Sequence, residues 1–282
     1  MNNVRNIKKE TLDPSTAAKD GRRKIRAYIN EYRPFSDKNQ ADFYTKVISC
    51  LSIERMASFG DIACESKTVL ARYLLNIALC ESLYSSLQFC EVALRNTIHS
   101  DLTKRFGSEN WYDSPHFSLT PWAVAEIAKA KEKINKSRKQ LTPGKIVAEL
   151  QFGFWTSFFE DHYERNTPFM PSGIKTVFPY LPKSQHNRKD IKAKLETIRS
   201  LRNRVFHHER IVHWKDLDSQ HQVILDVISW INPELLHLGE HLDTYVFTRK
   251  SGLDPWLQSL DTHWDDLVSH EANLKEPFHD CL

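Results

Sequence analysis

Between residues 199 and 208 the chain sets arginines, an asparagine and two histidines at helical spacing. Arg199, Asn203 and His207 are each one turn apart, so at about 100° per residue they form one polar row. Ile191, Leu195, Ile198, Leu201 and Val205 mark the opposite, core side of the same helix. Arg202 falls at the edge of that apolar stripe and joins the row only if its long side chain curls round. An imidazole has an ordinary pKa of about 6.5, suited to moving protons at neutral pH. A guanidinium is always charged and holds a phosphate with a two-pronged fork. An asparagine orients a ribose hydroxyl or the imidazole. These are the parts needed to cleave RNA without a metal: the 2′-hydroxyl loses its proton and attacks its own phosphate, and cations stabilise the crowded phosphorane. The products are a cyclic phosphate and a free 5′-hydroxyl.

The helix that carries these groups is expected at about 187–208. Residues 183–215 hold ten Lys/Arg against three Asp/Glu, among them Lys192, Lys194, Arg199 and Arg204, which are the expected RNA-backbone contacts. A second basic stretch, 128–145, holds seven basic residues and one acid. Upstream, the apolar spacing from Asp42 to about Arg105 is helical, with its clearest seam at Leu83, Leu87, Cys90, Leu94, Ile98 and Leu102. Phe106-Gly107-Ser108 ends that helix, because glycine suits a left-handed cap. Thr120-Pro121 and Thr142-Pro143 open two more. The aromatic cluster Phe152, Phe154, Trp155, Phe158 and Phe159 is expected in the core, with base stacking on Trp155 as the lesser alternative. Residues 165–185, with Pro168, Pro171, Pro179 and Pro182, read as an irregular connection, followed by two final helices at about 187–208 and 214–239. The expected architecture is an all-α bundle with one long Pro-rich crossover. A basic extension (1–38) precedes the helical domain (39–245), and an acidic tail (246–282) follows, in which Trp256 and Trp264 could dock on the body.

Composition removes several classes of function. The chain of 282 residues has 8 glycines, none within six positions of another, so no dinucleotide fingerprint, phosphate loop or Gly-x-Ser-x-Gly elbow exists. Its 5 cysteines include no Cys-x-x-Cys pair, against a zinc ribbon or a thioredoxin-like site. His162, His186, His213 and His221 lack metal-ligand spacing, and Asp61, Glu65 and Lys67 lack the strand context of a metal nuclease. No metal and no cofactor are expected. Met1–Arg33 has no apolar core like that of a signal peptide, and Tyr73–Cys90 is too polar for a membrane span. A reduced, cytoplasmic protein without a membrane partner is expected.

A bare Arg-x4-His occurs by chance about 0.8 times in a chain of this composition, and about 0.09 times with Asn or Asp after the Arg. The wider context is more specific. Arg202-Asn-Arg-Val-Phe-His207-His208-Glu209 resembles the Arg-x4-His motif of the HEPN superfamily, in the form found in Abi-like (abortive-infection) proteins of bacteria. Glu91-Val-Ala-Leu-Arg95-Asn96 resembles that family's Glu-x-x-Leu-Arg-Asn helix, and Phe152-Gly153-Phe154-Trp155 its aromatic Gly segment. The three segments come in the family's order over roughly 43–235. The aromatic-Asn spacing before the first family helix is matched loosely by Tyr73-Leu-Leu-Asn76.

The resemblance implies a HEPN-like helical bundle, often dimeric, with the motif helices of two protomers facing across a composite cleft. It implies RNA cleavage in antiphage defence or as a toxin. By position, His207 is the proton-transfer residue, Arg202 the phosphate clamp and Asn203 the orienter. Glu91, Arg95 and His99 share one helical face; an ion-pair ladder ordering the bundle is expected there, with Glu91 positioning Arg202 as the alternative. His208 lies off the row and fits a capping or interfacial role. The expected function is a metal-independent endoribonuclease, a homodimer restrained by an antitoxin or regulatory RNA. The competing readings are a non-catalytic RNA- or protein-binding module and a structural dimerisation bundle.

Overall fold

The computed structural model describes residues 40–165 and 169–261, with side chains from 43 onward. The basic extension, Trp264 and Cys281 lie outside the described residues. Among the described residues every regular element is a helix and there is no strand. The chain divides into two compact units: one of residues up to Tyr73 together with those from Leu253, the other Leu74–Gly252.

In the first unit, helices Gln40–Leu51 and Ile53–Ala57 lead into the first turns of a long helix, Ile62–Phe106. Asp61 begins that helix by accepting a hydrogen bond from the Ala63 amide at 2.9 Å. Glu65, where the backbone leaves helical geometry, pairs with Arg72 at 3.4 Å, and Lys67 pairs with Asp261. These three residues serve the local fold.

The second unit contains the rest of the long helix. Its expected seam is buried at every position, Leu83, Leu87, Cys90, Leu94, Ile98 and Leu102. It ends at Phe106, and Gly107 takes φ 64°, the left-handed cap that glycine adopts without a Cβ clash. Burial pushes the Cys90 thiol up to about 12, helped by the charge of Glu91, so it behaves as a small apolar side chain. Helix Pro121–Lys136 starts as expected, the Thr120 hydroxyl accepting from the Ala123 amide at 3.2 Å. The aromatic cluster is core: Phe152, Phe154, Trp155, Phe158 and Phe159 are all buried. Trp155 is fully enclosed and donates to the Leu150 carbonyl at 3.3 Å, so the stacking alternative for it falls.

Two stretches differ from expectation. The Pro-rich connection is less irregular than its prolines suggest: helix Ser172–Val177 forms within it, and Phe169, Ile174, Val177, Phe178 and Leu181 are buried. Apolar residues between the prolines gain order through burial. The last expected helix is instead two, Leu217–Ile231 and Pro233–Glu240. Pro233 offers no N–H and forces Asn232 to extended backbone, and the Asn232 side chain caps the new helix by accepting from the Leu235 amide at 2.8 Å. Residues beyond 245 begin with a further helix, Tyr245–Ser251, whose Tyr245 is buried, and Gly252 follows at φ 60°. This helix closes the second unit, which ends at Gly252.

Candidate functional site

The motif helix is Arg188–Phe206, with Ile191, Leu195, Ile198, Leu201 and Val205 buried as its periodicity requires. Asn187 caps its start, accepting from the Lys189 amide at 2.9 Å. Arg188 fixes the first turn. It is buried, donating from Nε to Glu164 at 2.7 Å, from Nη1 to the Phe159 carbonyl at 2.8 Å and from Nη2 to Asp161 at 3.1 Å. Nothing in the spacing of the sequence singles out this anchor.

The far end of the helix is closed by its own backbone. His207 is the C-cap residue and His208 follows at φ 57°. The His208 amide donates to the Val205 carbonyl at 3.2 Å and the Glu209 amide to the Arg204 carbonyl at 2.9 Å. That is the paired bonding of a Schellman cap, with histidine where glycine is usual. The side chains of Arg204 and Glu209 pair across the same turn. The helix thus stops so that His207 leaves its last turn exposed, and its ring has no hydrogen-bond partner among the described residues.

Arg202 lies at the edge of the core, as its angular position requires, with 22% of its side chain exposed. Its Nε donates to Glu91 Oε2 of the long helix at 3.2 Å, and its Nη1 lies 3.5 Å from Asn203 Oδ1. Its guanidinium carbon stands 4.5 Å from the centre of the Phe206 ring, one turn further on. Three neighbours therefore fix the guanidinium, while Nη2 has no acceptor among the described residues. The expected ion-pair ladder on the long helix does not form. Among the described residues Glu91 reaches Arg202, Arg95 reaches only the adjacent Asn96 at 3.4 Å, and His99 accepts from the Trp111 indole N–H at 2.9 Å. At one-turn spacing each side chain meets a closer partner than its neighbour in the row.

The loop after the motif is stapled from two sides. Asn76 of the long helix is buried at 3% exposure. Its Oδ1 accepts from the amides of Ile211 at 2.7 Å and Val212 at 3.1 Å, and its Nδ2 donates to the Glu209 carbonyl at 3.2 Å. From the other side, Arg249 donates to the Val212 carbonyl at 3.5 Å and the Trp214 carbonyl at 3.1 Å. Helix Tyr245–Ser251, which carries Arg249, is held in turn by Tyr245 donating to Asp218 at 2.6 Å and by the His221–Asp243 pair at 2.7 Å. Burial alone would raise the Asp243 carboxyl, but hydrogen bonds from His221 and the Tyr245 amide outweigh it and hold it below the usual range. The sequence flagged Asn76 only by spacing and missed Arg249 altogether.

The expected RNA contacts are largely engaged within the chain. Arg199 pairs with Glu196 and lies against Gly153, Lys192 pairs with Glu160 at 2.5 Å, and Lys194 stands 5.4 Å from the Trp230 ring centre. Arg204 is held by Glu209. Such half-exposed pairs are worth about 0–1 kcal/mol, so a phosphate can displace the carboxylate. In the loop after the motif, burial, then the charges of Arg210 and Arg204, pushes the His213 imidazole down.

His162 and His186 bond to the backbone carbonyls of Ser118 at 2.8 Å and Leu181 at 3.0 Å. Among the described residues no three His, Cys, Asp or Glu side chains gather as a metal cradle, and no helix is long and apolar enough to cross a membrane. Comparison with protein-family models, with curated proteins and with solved structures finds no match to this chain.

Proposed function

We propose that the chain is a metal-independent endoribonuclease of the HEPN type. The single observation that carries the reading is the Glu91–Arg202 pair. It holds a guanidinium five positions before an exposed imidazole at a helix end, the cation and the base that transphosphorylation of RNA needs. His207 takes the proton of the 2′-hydroxyl as that oxygen bonds to phosphorus. Arg202 bears on the phosphorane oxygens through its outward N–H groups, and Asn203 orients the ribose or the imidazole. The bond from phosphorus to the 5′-oxygen breaks, that oxygen takes a proton from water and His207 returns its proton to water, which leaves a 2′,3′-cyclic phosphate and a 5′-hydroxyl.

The order of the three segments that resemble Abi-like proteins supports the same reading. Under it the protein is a cytoplasmic homodimer whose two motif helices share a cleft. It acts as an antiphage or toxin effector that an antitoxin or regulatory RNA restrains. Inducible expression tests this: growth arrest and RNA breakdown in the wild type, and neither in His207→Ala at equal protein level, are expected. Equal toxicity of the two would refute it.

One observation favours a second reading, a non-catalytic RNA- or protein-binding module. The His207 ring has no group to orient or activate it among the described residues, whereas Lys189 and Arg204 of the same helix are exposed and able to meet a partner. Salt-sensitive RNA binding with no product, unchanged in His207→Ala, selects that module.

A further inference from the structure

Beside the guanidinium of Arg202, two aromatic side chains face outward from two different helices. Tyr84 of the long helix is 51% exposed and Phe206 of the motif helix 39%. Their ring centres stand 5.8 Å apart with planes tilted by 43°. Arg202 covers Phe206 at 4.5 Å, and His207 is the next residue. Leaving two aromatic rings this open costs burial energy that the neighbouring core positions gain. The surrounding charge is divided. On the long helix Glu81 and Gln88, each within about one turn of Tyr84, are exposed, whereas Asn203 and Arg204 are exposed on the motif helix. A phosphate backbone is repelled by the Glu81 side and attracted to the arginine side, so the bases of a bound strand turn toward the rings.

We infer that Tyr84 and Phe206 form a nucleobase-stacking subsite beside the Arg202 guanidinium and adjoining His207 in the chain, which makes the preferred ligand single-stranded RNA. The inference rests on the ribonuclease reading and names its substrate class. In a duplex the base faces are stacked on one another and unavailable, whereas an unpaired base offers a π-face to an aromatic or guanidinium plane. Stacking also sets the register. A base seated on Tyr84 and Phe206 leaves its ribose and 3′-phosphate beside Arg202 and His207. Because every base has a π-face, the subsite selects strandedness more than sequence. Even with Ile77, exposed two turns before Tyr84, the rings make a small patch beside the roughly 800 Å² per partner that a stable protein interface buries, so the base is the better fit than a second copy.

The test measures binding of a fluorescent single-stranded RNA of about 12 nucleotides to His207→Ala protein, with Tyr84 intact, Tyr84→Leu or Tyr84→Trp. Tyr84→Leu is expected to weaken binding by about 5- to 100-fold, and Tyr84→Trp to restore it. The Tyr84→Leu penalty should vanish when one particular nucleotide is made abasic, and it should be absent for duplex RNA. Equal binding by the Tyr84→Leu protein and by the protein with Tyr84 intact would overturn the inference. So would conversion of a dimer to a monomer by Tyr84→Leu in sedimentation, because the rings would then belong to an interface between copies. Cleavage by the protein with native His207 is scored in parallel. Cleavage without a Tyr84 effect defeats the subsite alone, and a Tyr84 effect without cleavage defeats the ribonuclease reading alone.

Discussion

Glu91 Oε2 accepts a hydrogen bond from Arg202 Nε at 3.2 Å, joining residues 111 positions apart on two different helices. Further along the same two segments, Tyr84 meets Phe206 and Asn76 meets the 209–212 loop. As the number falls on the long helix it rises on the motif segment. The long helix thus acts as an antiparallel ruler against which the guanidinium, the end of the motif helix and the following loop are each registered. The register along it sets where His207 emerges.

If Glu91 positions Arg202, then Glu91→Gln should lower kcat for RNA cleavage by about tenfold or more and leave KM nearly unchanged. Both partners are mostly enclosed, 22% and 21% exposed, but glutamine keeps an oxygen to accept from Nε, so the loss should stay at about 1–2 kcal/mol and the unfolding midpoint should fall only slightly. Parallel kinetics and denaturant melts check this, and an unaltered kcat would assign the pair to structure alone.

Asn76 satisfies the buried amide of Ile211 and the partly buried amide of Val212 and carbonyl of Glu209, all three of which lose this partner once its side chain is cut back. Asn76→Ala should cost roughly 2–4 kcal/mol, and hydrogen exchange at Ile211 and Val212 should accelerate. Unchanged protection at both amides would show that the loop is held by other means.

The left-handed backbone of His208 carries a Cβ penalty of about 1 kcal/mol that glycine avoids, partly offset by the greater freedom of glycine in the unfolded chain. His208→Gly should therefore stabilise the protein by about 0.5–1 kcal/mol, read as a rise in denaturation midpoint. A loss of stability would mean that the imidazole contributes more than its strain costs.

Burial, only partly countered by the charge of Glu109, pushes the His99 imidazole below its ordinary value. Its Nδ1 must also stay unprotonated to accept from Trp111. A folded pKa below the unfolded one means that this contribution is complete above about pH 6.5 and is lost as pH falls through the folded value. Stability should thus decline below pH 6.5 or so in the wild type and decline less in His99→Gln, whose amide oxygen can still accept the indole. Parallel declines in urea melts across that range would contradict the assignment.

The helical architecture was legible because its signal is local. The 83–102 seam and the 191–205 stripe repeat at the helical period, and Thr120-Pro121 and Gly107 act within one turn of themselves. The angular position of Arg202 at the edge of the core was readable for the same reason. Its partner was not, because Glu91 is 111 residues away and equal one-turn spacing made Arg95 look the nearer choice. The Asn76 and Arg249 staples use backbone groups, which carry no residue type to recognise. The left-handed cap at His208 was hidden because histidine gives no sign of it, whereas the break at Pro233 was visible and outvoted by the apolar run around it.

The most direct test of the central claim is an end-group assay on purified protein with single-stranded RNA in excess EDTA. The wild type should release fragments ending in a 2′,3′-cyclic phosphate and a 5′-hydroxyl, and His207→Ala with unchanged helicity should release none. Cleavage that stops with the chelator, leaves a 5′-phosphate, or persists in His207→Ala would contradict the account.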